Sequence, residues 1–268
     1  MHPLFILKLG GSVITAKREA KPIIKKDEIT RIAKEIRDAR SLKFFDLVLI
    51  HGVGSFGHGL AKKYELWKGI KRRSQIPAFS KTQMQTITLN NSLLEIFNSV
   101  GLPVLAINPT TTIIQKNAKL KLFDIKVIEH FLREHFIPVL YGTVVPDEKL
   151  IGSISSGDTM VTYLSKKLKA ERAIFATDVD GIYTRDPNQF NKAKLINEIT
   201  DKNYGEVIEG TQGSASKIDV GGGMRGKLEE IHDLAPGVET WIINGQKKNV
   251  IAKILSQRRV VGTKILLT

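Results

Sequence analysis

Three glycine-rich segments carry the residues of this sequence that are best suited to chemistry. They are residues 10–12 (Gly-Gly-Ser), 52–59 (Gly-Val-Gly-Ser-Phe-Gly-His-Gly) and 221–227 (Gly-Gly-Gly-Met-Arg-Gly-Lys). Glycine lets backbone N–H groups approach a ligand closely, and a helix that follows adds partial positive charge, so both features favour phosphate. One such segment would be a weak indication, because turns also need glycine. Three, each near a basic residue, predict a site that binds phosphate groups.

Two familiar nucleotide-binding motifs fit these segments poorly. The second segment has the spacing of the dinucleotide fingerprint, which expects an acid about 20 residues further on. No Asp or Glu occurs between Glu65 and Glu95, although Arg72 and Arg73 could serve a phosphorylated cofactor, so a dehydrogenase stays a minor alternative. The third segment is one residue short of a P-loop, and Leu228 stands where the magnesium-binding Ser or Thr belongs. An ordinary P-loop NTPase is therefore not expected.

Predicted strands and helices, which must position these segments, alternate along the chain. Strands are predicted at residues 4–9, 47–50, 104–107, 137–141, 173–176, 239–243 and 263–267. Helices are predicted at residues 26–39, 79–100, 124–135, 157–168, 226–234 and 249–256. This alternation is typical of the α/β class, in which helices cover both faces of a mostly parallel sheet. We expect one continuous fold with an N-terminal lobe ending near residue 150, and irregular structure mainly in residues 184–213.

Composition narrows the function classes. The chain has 268 residues, no cysteine and a net charge of +14, from 41 Lys+Arg against 27 Asp+Glu. The basic residues are spread along the sequence and are densest at residues 62–73, without an aromatic-rich sheet signature, so a solvated surface is expected and nucleic acid is not. Absence of cysteine excludes disulfides and thiol chemistry. No apolar run has the roughly 20 residues of a membrane span, and the start does not resemble a signal peptide, so a cytoplasmic protein is expected.

The motifs taken together resemble the amino acid kinase family. The matching segments occur in the family's order across the whole chain, at residues 8–12, 51–54, 156–158, 176–183 and 219–227. The resemblance implies a three-layer αβα sandwich in which ATP and acceptor lie end to end across the sheet. It assigns the acceptor to the lobe of residues 1–150 and ATP to the lobe of residues 151–268. It also implies a homodimer, and Mg²⁺ carried mainly by the nucleotide phosphates and water.

Within the family, residues 51–58 resemble the branch that phosphorylates isopentenyl phosphate, with His58 as the discriminating residue. The spacing of Lys17 after Lys8 and residues 154–158 agree with this branch. Fosfomycin kinases share the histidine and stay an alternative. Residues 178–187 also resemble uridylate kinases, which lack the histidine. A nucleotide- or nucleic-acid-binding regulator without catalysis is the alternative from another class.

The resemblance implies roles for five polar residues. Lys8 and Lys17 would contact the transferring phosphate, Lys227 would contact the ATP phosphates, and His58 would bind the acceptor phosphate. Because that acceptor is already an anion, His58 is expected to bind and orient it and not to act as a general base. Asp158 would organise the lysines, although it could also serve as the N-cap of a helix. Simpler roles, as surface or strand-end residues, are the alternatives for the lysines.

The binding residues follow from the same motifs. ATP contacts are expected from Lys8, Gly10, Gly11, Ser12, Gly54, Thr177, Asp178, Asp180, Gly181, Gly222, Gly223 and Lys227. Acceptor contacts are expected from Gly52, Val53, Gly54, His58 and Gly157. Val53 and Gly221 depart from residues common in the family. Met84, Ile87, Leu94 and Phe97 could line a pocket for an apolar tail or belong to the core, and no dedicated metal site is expected.

Overall fold

A computed structural model describes residues 2–16, 22–185, 190, 192–210 and 223–268. Its strands are β1 (Leu4–Leu9), β2 (Asp46–His51), β3 (Val104–Ala106), β4 (Ile113–Lys116), β5 (Lys119–Phe123), β6 (Ile137–Tyr141), β7 (Thr143–Asp147), β8 (Ile151–Ser155), β9 (Arg172–Thr177), β10 (Ile182–Tyr183), β11 (Leu195–Ile196), β12 (Glu198–Ile199), β13 (Thr240–Asn244) and β14 (Gly262–Ile265). Its helices are α1 (Gly11–Ile14), α2 (Lys26–Leu42), α3 (His58–Lys63), α4 (Gln75–Ser99), α5 (Pro109–Thr112), α6 (Lys126–Arg133), α7 (Gly157–Lys167), α8 (Tyr204–Gly210), α9 (Gly223–Leu234) and α10 (Val250–Leu255).

Eight of the described strands form one central sheet in the order β12-β14-β13-β9-β1-β2-β6-β3. Neighbouring strands run parallel, except that β13 and β14 are antiparallel. Buried parallel strands need apolar residues on both faces, and β1 and β2 meet this need with nearly continuous runs of Leu, Ile, Phe and Val. The mostly parallel sheet predicted from the sequence is confirmed.

Alternation along β1 divides the core into two layers. Phe5, Leu7 and Leu9 belong to a buried cluster that also contains apolar residues of α2, α4 and α10. Ile6 belongs to a second buried cluster, with apolar residues of α6, α7 and α9. Because side chains alternate between the faces of a strand, Lys8 shares the face of Ile6 and is directed towards α7 and α9. The fold is thus the expected three-layer αβα sandwich.

A second sheet, with the order β5-β4-β7-β8, consists of two hairpins that the sequence did not predict. The carboxylate of Asp147 joins their turns, since it accepts hydrogen bonds from Ser153 Oγ and from the backbone N–H groups of Asn117, Ala118, Lys149 and Leu150. Burial raises the pKa of Asp147, but these hydrogen bonds outweigh burial and lower it to about 2. The two hairpins are therefore fixed to each other by one buried carboxylate.

The central strand β1 connects the two proposed lobes. It pairs with β2 from the first 150 residues and with β9 from the later part of the chain. Strands from both sides of residue 150 therefore belong to one continuous sheet, and the division into two lobes stays a functional proposal. No helix in the described ranges is long and apolar enough to cross a bilayer.

Candidate active site

The carboxyl ends of β1, β2 and β9 lie side by side, because the three strands are parallel and in register. Ligands of open α/β sheets bind at this edge. The first two glycine-rich segments follow β1 and β2 there, and the segment that begins at Thr177 follows β9. Gly10 N–H also donates to the carbonyl of Ala176 at 2.8 Å, so the segment after β1 is attached to the end of β9.

Lys8, Asp158 and Lys227 meet in a buried ionic cluster behind this edge. Both ammonium groups donate to the same oxygen, Asp158 Oδ1, at 2.5 Å from Lys8 Nζ and 2.7 Å from Lys227 Nζ. The three side chains are 12%, 14% and 10% exposed, in the order Lys8, Asp158, Lys227. The Lys227 ammonium also lies over the ring of Phe175, at 4.7 Å from its centroid. Three residues from distant parts of the sequence thus bring two cations and one anion together.

Burial and charge shift the pKa values of this cluster in definite directions. Burial lowers the pKa of Lys8, and the charge of Lys227 lowers it further, although Asp158 opposes both effects. Burial alone would raise the pKa of Asp158, but Lys227 and Lys8 outweigh it and hold that pKa far below its usual range. Asp158 therefore stays ionised, and a phosphate that entered the cluster would meet two ammonium donors that are already partly desolvated.

Asp158 is delivered by the first turn of α7. Ser156 is the N-cap of that helix, with its hydroxyl accepting the Thr159 N–H at 3.0 Å. The alternative N-cap role of Asp158 is thus taken by Ser156, two residues earlier. A methyl group at Gly157 would lie 3.0 Å from Lys8 Cε. Gly157 is therefore small because the Lys8 side chain passes over it.

The first two glycine-rich segments pack backbone against backbone. A methyl group at Gly11 would lie 2.6 Å from Gly54 Cα, and one at Gly52 would lie 2.6 Å from Gly11 N. Gly54 has φ +45°, a left-handed conformation that favours glycine. Thr15 completes the contact, because its hydroxyl donates to the carbonyl of Gly11 at 2.8 Å and accepts the N–H of Ser55 at 3.2 Å. These glycines serve loop-to-loop contact as well as any approach of a phosphate.

The second segment continues into a helix that the sequence did not predict. His58 begins α3 and is exposed, whereas the sequence predicted that it ends a glycine loop. Gly57 before it packs against Val53, and Val53 in turn lies near Gly142 at the end of β6. His51 is fully buried at the end of β2, and burial lowers its pKa to about 4.

The segment after β9 is fastened by its own side chains. The Thr177 hydroxyl lies within hydrogen-bonding distance of two carbonyls, 3.0 Å from that of Val179 and 3.2 Å from that of Ile243, which compete for its one proton. Asp180 accepts hydrogen bonds from Asn244 Nδ2 at 3.1 Å and Lys247 Nζ at 2.8 Å. The side chains of Thr177 and Asp180 thus hold the turn after β13. The remaining predicted residues of this segment are Asp178 in the same loop and Gly181, where a methyl group would lie 2.9 Å from Thr263 N.

Two predicted residues lie outside the described ranges, Lys17 and Gly222. Gly223 has φ +63° and begins α9, which carries Lys227 on its second turn. The third glycine-rich segment is therefore helical from Gly223 onwards, which extends the predicted helix towards its N-terminus. Ser12 lies in α1, and its carbonyl accepts hydrogen bonds from Lys25 Nζ and Gln246 Nε2.

A model of the amino acid kinase family matches residues 3–244. The chain belongs to the amino acid kinase family. Its relatives include the isopentenyl phosphate kinase of Methanothermobacter thermautotrophicus, 37% identical over 98% of both chains, and that of Methanocaldococcus jannaschii, 35% identical with the same coverage. A structure described as isopentenyl phosphate kinase superposes with a TM-score of 0.84 at 34% identity, covering 98% of this chain and 100% of that one. All three are described as isopentenyl phosphate kinases.

Three residues that hold the candidate site together were not found from the sequence. Thr15 links the two loops, Lys247 binds Asp180, and Glu230 accepts the Thr159 hydroxyl at 2.7 Å. A weak signal existed for Glu230, which follows Lys227 by three residues and so lies on the same side of a helix. Among the four apolar α4 candidates, Phe97 lies in the core and Met84 is 65% exposed.

Proposed function

We propose that this chain transfers the γ-phosphate of ATP to isopentenyl phosphate and so forms isopentenyl diphosphate and ADP. The observation that carries the proposal is the buried cluster of Lys8, Asp158 and Lys227, directly behind the edge where two glycine-rich loops meet. The full-length similarity to isopentenyl phosphate kinases supports this choice of acceptor.

The protein forms no covalent bond to the substrates in this reaction. An oxygen of the acceptor phosphate forms a bond to the γ-phosphorus while the bond from that phosphorus to the β,γ-bridging oxygen breaks, and ADP leaves with the electron pair. Charge spreads over the transferring oxygens, and catalysis consists of alignment and electrostatic stabilisation. Lys8 and Lys227 supply the positive charge. Asp158 holds both ammonium groups at one point, and the remaining N–H groups of each ammonium can donate to the phosphates as they enter.

The nucleotide side of the site follows the family assignment. We propose that Gly10, Gly11 and Ser12 receive the ATP phosphates together with Lys227, and that the loop from Thr177 to Gly181 receives the adenosine. Lys17 and Gly222 are proposed contributors on the same grounds. Magnesium would accompany ATP and neutralise phosphate charge. Asp158 Oδ1 already accepts two ammonium groups, so we propose that phosphate oxygens and water hold the ion.

The acceptor side is proposed to consist of Gly52, Val53, Gly54 and Gly157, with His58 as the donor to the acceptor phosphate. Replacing His58 by alanine removes that donor without touching the buried core, since His58 is exposed. We expect kcat/KM for isopentenyl phosphate to fall about tenfold to a hundredfold, equivalent to one charged hydrogen bond. KM for ATP and the melting temperature should change little.

A matched control is His130→Ala, which removes another exposed histidine on α6. Steady-state kinetics with each substrate varied in turn would measure both variants. Full activity of His58→Ala would show that acceptor recognition depends on other groups and would remove the residue on which the branch assignment rests.

The proposed function is tested by ATP consumption with purified protein and a panel of acceptors. Isopentenyl phosphate should give turnover well above that with UMP or fosfomycin, and the product should be isopentenyl diphosphate. Turnover with UMP or fosfomycin alone would instead identify one of the sister activities of the family. Absence of turnover with every acceptor, in protein that still binds ATP, would favour a non-catalytic regulator.

We further propose that residues 1–150 supply most of the acceptor site and residues 151–268 most of the ATP site, with Lys8, the loop after β1 and Gly157 as exceptions, and that the enzyme is a homodimer. Light scattering on the purified protein measures its molecular mass and so its oligomeric state. A single species at the 29.8 kDa of one chain would refute it.

A further inference from the structure

Glu230 lies one turn beyond Lys227 on α9, and both side chains approach the start of α7. Lys227 Nζ donates to Asp158 Oδ1 at 2.7 Å, and Glu230 Oε1 accepts the hydroxyl of the next α7 residue, Thr159, also at 2.7 Å. Residues three apart on a helix are neighbours on its surface. Two consecutive residues of α7 therefore contact two residues that lie one turn apart on the same side of α9. The two helices are joined by an ion pair and by a hydrogen bond beside it.

The link through Glu230 continues to the N-cap of α7. The Thr159 and Ser156 hydroxyl oxygens lie 2.9 Å apart, and Ser156 Oγ also accepts the Thr159 N–H. Because the Thr159 hydroxyl donates its proton to Glu230, the Ser156 hydroxyl must be the donor to Thr159. The hydrogen bonds thus run in one direction from the N-cap of α7 to α9, and such chains strengthen each other.

The position of Glu230 is costly for a residue with only a packing role. Its second oxygen, Oε2, is buried and has no hydrogen-bond partner within the described ranges. A buried polar atom without a partner destabilises a fold. An apolar residue of similar size would avoid this cost and would still fill the space between α7 and α9.

We propose that Glu230 is a positioning residue for phosphoryl transfer, whose hydrogen bond to Thr159 fixes α9 against α7 and so holds the Lys227 ammonium at the ATP phosphates. The inference depends on the proposed role of Lys227. Glu230 acts through Thr159 and the backbone of α9 and does not touch the reacting atoms.

A direct electrostatic role is the competing explanation. The charged groups that face Glu230 are Asp158 on α7, Lys8 on β1 and Lys227 on its own helix. Burial raises the pKa of Glu230, and the charge of Asp158 raises it further, against the opposing effect of Thr159 and the two lysines. The environment thus disfavours the charged form, whereas the hydrogen bond to Thr159 needs only an acceptor oxygen. A glutamine at this position keeps that oxygen and removes the charge.

The test compares Glu230→Gln, Glu230→Ala, Thr159→Val and Thr159→Ser. The Gln and Ser variants keep the link and should retain kcat/KM for ATP within about twofold. The Ala and Val variants break it and should each lose about tenfold, the rate equivalent of one buried hydrogen bond. The double variant Glu230→Ala with Thr159→Val should be no worse than either single variant, because both remove the same link.

Two readings would overturn the proposal. If Glu230→Gln behaves like Glu230→Ala, or if both tighten ATP binding, the charge of Glu230 matters and not its hydrogen bond. If Thr159→Val keeps full activity, the link does not position Lys227. Melting temperatures identify variants that fail to fold. If Glu230→Ala is one of them, the comparison of Thr159→Val with Thr159→Ser still shows whether the hydrogen bond positions Lys227.

A binding measurement separates this inference from the proposed function. Affinity for a non-hydrolysable ATP analogue depends on Lys227 whichever acceptor the enzyme uses. Loss of analogue affinity in Glu230→Ala and Thr159→Val, with unchanged affinity for adenosine, would support the positioning role even if isopentenyl phosphate gave no turnover. Unchanged analogue affinity and unchanged kcat in both variants would refute it.

Discussion

Replacement of Gly11 by alanine is expected to damage donor and acceptor sites together. Gly11 belongs to the loop after β1, which is proposed to bind ATP, and it contacts Gly54 in the loop after β2, which is proposed to bind the acceptor. The added methyl carbon would lie 2.6 Å from Gly54 Cα. Carbon atoms at rest lie about 3.5–4.0 Å apart, so the two loops must separate by about 1 Å.

The size of the effect follows from this displacement. Overpacking of a well-packed contact costs about 1–3 kcal/mol, which lowers the melting temperature of a chain of this size by a few degrees. A misplacement of about 1 Å between reacting groups costs about a hundredfold in rate. We therefore expect kcat to fall about a hundredfold and KM to rise for both substrates, because neither loop can keep its place.

The assay is steady-state kinetics with ATP and isopentenyl phosphate varied in turn, accompanied by a thermal melt. Gly59→Ala is the matched control, since a methyl group there meets no atom within 4 Å and lies in the helical α3. Should Gly11→Ala raise KM for ATP alone, the loops move independently and the reasoning from their contact is wrong. Wild-type kinetics with a lowered melting temperature would likewise refute it.

Three further results are expected. Lys8 has a pKa lowered from 10.5, so the alkaline limb of the kcat/KM profile should lie below that value, and Asp158→Asn should move it to still lower pH by removing the group that raises this pKa; an unmoved limb would dissociate Lys8 from catalysis. Thr15→Val should slow turnover about tenfold by unlinking the two loops, with Thr15→Ser as the active control. Asp147 has a folded pKa of about 2 against 3.8, so it stabilises the fold above pH 3.8 by about 2 kcal/mol, which is lost as the pH falls towards 2; Asp147→Asn should show a smaller loss of melting temperature over that range, and an equal loss would contradict the assignment.

Sequence periodicity located every strand of the central sheet except β12, because most of those strands belong to apolar runs bounded by glycine or polar residues. It missed the hairpins β4–β5 and β7–β8. Their turns place Asn117, Ala118 and Ile151 at positive φ, +55°, +59° and +66°, and of these three residue types only asparagine adopts that conformation readily. Tertiary contacts, above all the hydrogen bonds to Asp147, stabilise these conformations. The local sequence pattern therefore does not predict the two hairpins.

The sequence predicted those residues of the candidate site that are charged and stand within a recognisable motif. Lys8, Asp158 and Lys227 were identified by resemblance, and the structure brings them into contact. The sequence does not show which atoms pack against each glycine in the folded chain. Gly11 and Gly54 are predicted to receive phosphate groups, whereas a methyl group at Gly11 would overlap Gly54 N and one at Gly54 would overlap Thr15 Oγ1. Thr15 and Glu230 were not predicted for the same reason, since Ser55, which joins Thr15 to the second loop, and Thr159, the partner of Glu230, are distant from them in sequence.

The place of β1 in the middle of the sheet bears on how the chain folds as it leaves the ribosome. Domains generally form from the N-terminus during synthesis. The strands β1, β2, β3 and β6 are all complete once residue 141 has been made, and they are contiguous in the sheet. The other edge of β1 must wait for β9, and Lys8 waits longer still for Lys227. A nascent chain can therefore assemble the part of the sheet formed by β1, β2, β6 and β3 first, while the other edge of β1 is open to pairing with any extended segment that is made before β9.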